Sequence, residues 1–149
     1  EVMEDEDDEE AGEGEEGGVQ LRAFEGRPEV VQRCARVVHA LMASPHAAPF
    51  LRKPSRETLR DYYDVVLRPI ALHDVLHHLQ HGDYDHSVGR FAADVRLIFA
   101  NCATFNAEGE LLLGEADRLS AQFERLLLTW VLDPQAPPVD CLLSVDHCI

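Results

Sequence analysis

The chain has 149 residues, is 46% hydrophobic and carries a formal charge of -15, which is enough length for one domain with one real core. The charge is uneven: residues 1–18 hold 11 of the 28 Asp and Glu and neither Lys nor Arg, so the rest of the chain carries only -4. A mildly acidic body argues against a nucleic-acid-binding surface and suits a basic protein or peptide partner better, and no long apolar run or signal peptide directs the chain to a membrane.

Residues 1–18 are Glu, Asp and Gly almost throughout. Such a segment buries too little apolar surface to offset the entropy of ordering, so an acidic, disordered leader is expected, taken to extend to residue 27. The start at Glu1 reads as a fragment of a longer protein. Pro28 then sits where a first helical residue is favoured. Val30, Cys34, Val37 and Leu41 follow at steps of three and four, which predicts a first helix to about Ser44. Residues 45–71 show no long helical pattern, although connections in bundles commonly run to only about 2–8 residues. This loop is apolar and aromatic, with Pro49, Phe50, Leu59, Tyr62, Tyr63 and Val65 among its residues, so it must pack onto something.

A second stripe, Leu72, Val75, Leu76 and Leu79, is closed by Gly82. The third starts near Ser87 and runs through Phe91, Val95, Ile98 and Cys102. The fourth extends from Leu111 to Leu132 and is stopped by Pro134. Residues 133–149 form a Pro-containing tail whose apolar patch, 141–145, either folds back or trails. No run alternates as a strand does, so the fold class is all-α, a four-helix bundle with a long loop between helices one and two. That loop and the short connection after Phe105 outline a pocket at one end of the bundle. Cys34, Cys102, Cys141 and Cys148 form no Cys-x-x-Cys pair and are expected as reduced thiols of a cytosolic or nuclear chain.

Across residues 28–132 the sequence resembles the bromodomain family. The residues that carry the resemblance are Pro49-Phe50 at the start of the long loop, Asp61-Tyr62-Tyr63-Asp64-Val65-Val66, Pro69-Ile70-Ala71-Leu72 at the second helix, and Asn101-Cys102-Ala103-Thr104-Phe105-Asn106 at the end of the third. Asp83-Tyr84 and the run 94–99 also match. The resemblance implies a left-handed four-helix bundle that binds acetyl-lysine. Asn106 would donate its side-chain amide to the acetyl carbonyl, and Tyr62 would reach the same oxygen through a water. Phe50 and Pro49 would line the methyl end and the mouth, Val65 or Leu59 one wall, Phe105 the back, and Leu112 would stand as gatekeeper. A neutral acetyl-lysine needs a narrow apolar slot with one donor. An unmodified ammonium is rejected because burying it unpaired costs several kcal/mol.

The sequence departs from the family's pattern at four places. Ala48 stands where many members have Trp, Lys53 and Pro54 stand at the usual Pro-Val pair, Ala71 replaces an Asp, and Phe105 replaces a Tyr. Plainer readings exist for the same residues: Asn106 as a turn residue, Tyr62 as an anchor for the loop, and Phe50, Phe105 and Leu112 as core. His73, His77 and His81 share one helix face, but neither Cys nor an acidic ligand completes a metal set, so a solvated face is expected and no metal. No nucleophile elbow, phosphate loop or carboxylate pair appears, so neither enzymatic activity nor a cofactor is expected. The expectation is a nuclear, monomeric reader of acetylated histone or other acetylated protein peptides, without direct nucleic-acid contact. The alternative is a scaffold whose drifted pocket no longer takes acetyl-lysine.

Overall fold

The computed structural model describes residues 24–57, 60–105 and 110–142, without the side chains of Arg60 and Glu110. Its elements are α1 (Pro28–Met42), a 3-10 turn (Ala48–Phe50), α2 (Arg60–Val65), α3 (Leu72–Gln80), α4 (Val88–Phe105) and α5 (Glu110–Leu126), which continues as a π-helical segment, Leu127–Leu132. There is no strand among the described residues. Helices α1, α3, α4 and α5 form the left-handed bundle, and each arises where an apolar stripe was expected.

Pro28 opens α1, whose Val30, Cys34, Val37, Val38 and Leu41 are all buried. Helix α1 packs against α3, α5 and the π segment. Phe91 of α4 and Phe123 of α5, both fully buried, meet edge to face at 5.9 Å in the middle of the core. Ala71 has no side chain with which to cap α3. The Asp74 carboxylate reaches back instead and accepts the Ala71 N–H at 2.9 Å, satisfying one of the helix's orphan donors. Gly82, at φ 71°, turns the chain out of α3.

Three features differ from the expectation. The long loop contains the short helix α2. The fourth helix does not stay α-helical to Leu132 but widens at Leu127. The guanidinium of Arg33, 3% exposed, donates to the Trp130 carbonyl in this widened turn at 3.0 Å and pairs with Glu29 at 2.8 Å, fastening the first helix to the last. The ends are also more closely packed than expected. Phe24 lies under the Arg33 guanidinium at 4.1 Å, and Glu25 Oε1 accepts the Val88 N–H. In the tail, Leu142 is wholly buried in the core.

A loop-facing slot at one end of the bundle

The stretch ahead of α3 is tied to α4 by a polar cluster in which Tyr84, Asp94 and Asn101 are buried and Arg68 is exposed. Tyr84 donates its hydroxyl to Asp94 Oδ2 at 2.6 Å, and Arg68 donates to Asp94 Oδ1 at 2.7 Å. Asn101 gives its side-chain amide to the Arg68 carbonyl at 2.9 Å. Burial and the Asp94 carboxylate push the Tyr84 hydroxyl's ionisation far above the usual phenol range. The side-chain hydrogen bond to Asp94 raises Arg68 as well.

With that stretch held, the loop closes over the end of α4 and leaves a slot of about 230 Å3. This is smaller than the roughly 300–1,000 Å3 of sites for drug-sized ligands, and suits one side-chain head group. The 3-10 turn, closed by the Phe50 N–H on the Ala47 carbonyl at 2.8 Å, brings Pro49 and Phe50 to the lining, and Phe50 stands edge to face on Phe99 at 5.8 Å. Helix α2 turns Tyr62 inward onto Phe105, ring centroids 5.1 Å apart. Its neighbour Tyr63 donates to the Pro54 carbonyl and carries the Arg56 guanidinium at 4.1 Å over its ring. Burial raises the Tyr62 hydroxyl's pKa, with smaller contributions from Tyr63 and Cys102, so the phenol faces the slot as a neutral donor and acceptor.

Five of the expected residues, Pro49, Phe50, Tyr62, Phe105 and Leu112, thus come together around one cavity. Val65 does not join them: it is 46% exposed and absent from the described lining. Tyr62 is the buried residue of α2, with Val66 buried just past its end, and at 3.6 residues per turn Val65 lies about 60° round the helix from Tyr62. Ile70, Ile98 and Pro54 line the slot as well. Ile98 was legible only as core stripe, and the Ile70 position only through the family motif. Leu59 and Asn106 lie outside the described residues. Lys53 and Pro54, where the family's pattern was broken, both line the slot, as does Arg52.

The bromodomain family model matches residues 34–118, more than half of the chain. The chain belongs to the bromodomain family. A bromodomain-containing protein of Dictyostelium discoideum is 32% identical over 111 residues, 73% of this chain and 7% of that protein. The histone acetyltransferase GCN5 of Debaryomyces hansenii is 37% identical over 75 residues, 50% of this chain and 16% of that one. This chain therefore spans only a small part of the curated relatives it matches. Among solved structures, the second bromodomain of Candida albicans Bdf1, bound to an imidazopyridine, superposes with a TM-score of 0.61 at 29% identity, covering 66% of this chain and 96% of that one.

Elsewhere on this bromodomain, His77 and His81 stack at 4.0 Å between ring centroids, and His78 Nδ1 meets Asp83 at 2.7 Å. Among the described residues no three His, Cys, Asp or Glu converge as metal ligands. No helix among them is long and apolar enough to cross a membrane.

Proposed function

We propose that this bromodomain is a reader that binds acetylated lysine in a histone or another chromatin-associated protein, acting in the nucleus as a monomer, as a binding module rather than a catalyst. The observation that carries the reading is the slot itself: five residues that the family resemblance marks, spread from Pro49 to Leu112, gather around one largely apolar cavity of side-chain size. In this reading the acetyl methyl sits toward Phe50 and the lysine stem runs between Pro49 and Leu112. The acetyl oxygen is held by the Asn106 amide directly and by the Tyr62 hydroxyl through a water. A buried donor aimed at a neutral amide rejects the unmodified ammonium, which finds no carboxylate in the described lining. The imidazopyridine bound by the Candida bromodomain and the histone acetyltransferase among the relatives are consistent with this ligand class and with a chromatin setting. The domain proper is placed at 28–132, between the acidic leader and the C-terminal tail.

A single mark supplies few ligand atoms, so affinity is on the order of 10 µM to 1 mM. Calorimetric titration with acetylated histone peptides is the test. We expect binding that disappears without the acetyl group and that weakens at least ten-fold in Asn106→Ala, the loss of one direct hydrogen bond in an apolar slot. Full-strength binding by Asn106→Ala would sink the assignment of that residue. A folded protein that ignores every acetylated peptide and every small acetyl-lysine mimic would instead be a scaffold.

A further inference from the structure

The geometry points to a ligand in which an anionic group, a carboxylate or a phosphate, flanks the acetyl-lysine; the inference rests on the acetyl-lysine reading above. Two charged side chains belong to the slot's described lining, Arg52 and Lys53, and both are cations. Lys53 Nζ stands 3.7 Å from Asp74 Oδ1, a loose pair, and the other oxygen of Asp74 is occupied by the Ala71 N–H. Arg52 is exposed and has no ion-pair partner among the described residues. A third cation, Arg56, stacks on Tyr63, which in turn holds the backbone of Pro54 in the slot wall. Within 52–57 the only opposing charge is Glu57, and the acids of α2, Asp61 and Asp64, lie exposed on the side turned away from the buried Tyr62.

The charged side chains of the slot's described lining are opposite in sign to the chain, whose formal charge is -15. Net charge therefore misleads about the partner here. A Lys- and Arg-rich segment that presents its acetyl-lysine to this slot brings like charges against Arg52 and Lys53. An Asp, Glu or phosphate one to three residues from the acetyl-lysine forms charge-assisted hydrogen bonds with them, and the planar guanidinium serves carboxylate and phosphate alike. Because these cations are at the rim and wet, the effect is a preference rather than a switch, and it fades as salt rises.

The experiment titrates the full chain with one acetyl-lysine peptide framework in four versions, whose neighbours are Ala, Asp, phosphoserine or Arg, each with an unacetylated control. We expect the Asp and phosphoserine versions to bind about 3- to 10-fold tighter than the Ala version, and the Arg version weaker. Higher affinity for phosphoserine than for Asp would name phosphate as the source, and the reverse a carboxylate. The ratio of acidic to neutral flank should fall toward one in 0.5 M salt and in Arg52→Gln, and reverse in the double variant Arg52→Glu, Lys53→Glu. Acetyl-dependent binding with no flank dependence, or a flank preference untouched by both variants, overturns this inference alone. Failure of all four acetylated versions overturns it together with the acetyl-lysine reading.

Discussion

Tyr84 supports the stretch ahead of α3 through Asp94. Its hydroxyl is the buried partner of Asp94, and Asp94 in turn holds Arg68, the residue whose carbonyl receives Asn101. Removing the hydroxyl in Tyr84→Phe leaves a buried carboxylate oxygen without its donor, and should cost about 1–3 kcal/mol in urea denaturation at neutral pH. The pH dependence has a definite sign. The folded state holds Tyr84 and Cys34 protonated well above their ordinary values of 10.0 and 9.0. Their stabilisation is therefore complete below those values, and is lost as pH rises through 9.0 and 10.0 and the unfolded chain ionises. Stability should decline steeply from about pH 9 upward, and the gap between the native chain and Tyr84→Phe should narrow above pH 10. A gap that stays constant from pH 7 to 11 would contradict the neutral-donor role. Burial likewise leaves Cys34 a poor thiolate, so alkylating reagents should reach it far more slowly than the exposed Cys141.

At the scale of elements, the join between α1 and the end of α5 carries a buried polar contact, as does the Asp94 cluster on α4. Widening at Leu127–Leu132 redirects backbone carbonyls, and the one on Trp130 is taken up by Arg33. Arg33→Ala removes that donor, the pairing of Glu29 and the stack on Phe24 together, and should lower stability by about 2–4 kcal/mol in thermal or chemical unfolding. Arg33→Lys should rescue little, since an ammonium cannot reproduce the planar fork. None of this was legible beforehand. The stripe of Leu119, Phe123, Leu126 and Trp130 has helical spacing whether the last turns are α or π, and Arg33 falls beside the stripe of α1 where a charged residue ordinarily meets solvent. The four long helices were legible because apolar residues recur at steps of three and four with Pro28 and Gly82 as punctuation. The six residues of α2 were not, because a helix that short draws its stability from tertiary anchors, here Tyr62 and Val66, rather than from its own pattern.

For the molecule as a whole, the slot was legible through ordered motifs and not through periodicity: Phe50, Phe105 and Leu112 sit in different parts of the chain, and spacing alone treats each as core. The wall formed by Ile70 and Pro54 was legible only as positions in the family's motifs; that Tyr63 holds the Pro54 backbone there was not, since that contact depends on where α2 lies. The fold also extends past its expected limits. Leu142, in a helical turn over residues 139–142 and ten residues beyond Leu132, is fully buried, so Leu142→Ala should cost about 2–5 kcal/mol, as much as a residue in the bundle. An unchanged melting temperature would show that the tail only rests on the surface.

Glu25 holds Val88 at the start of α4, and the slot lies toward the other end of that helix, from Ile98 onward. At 1.5 Å per residue the slot's lining on α4, Ile98 to Phe105, lies about 15 to 26 Å along the helix from Val88. The described chain therefore begins, at Phe24, beside the end of α4 that is farther from the mouth. Capture on a surface through that end should leave the entrance facing solution, and should return the same dissociation constant as a titration of the free protein.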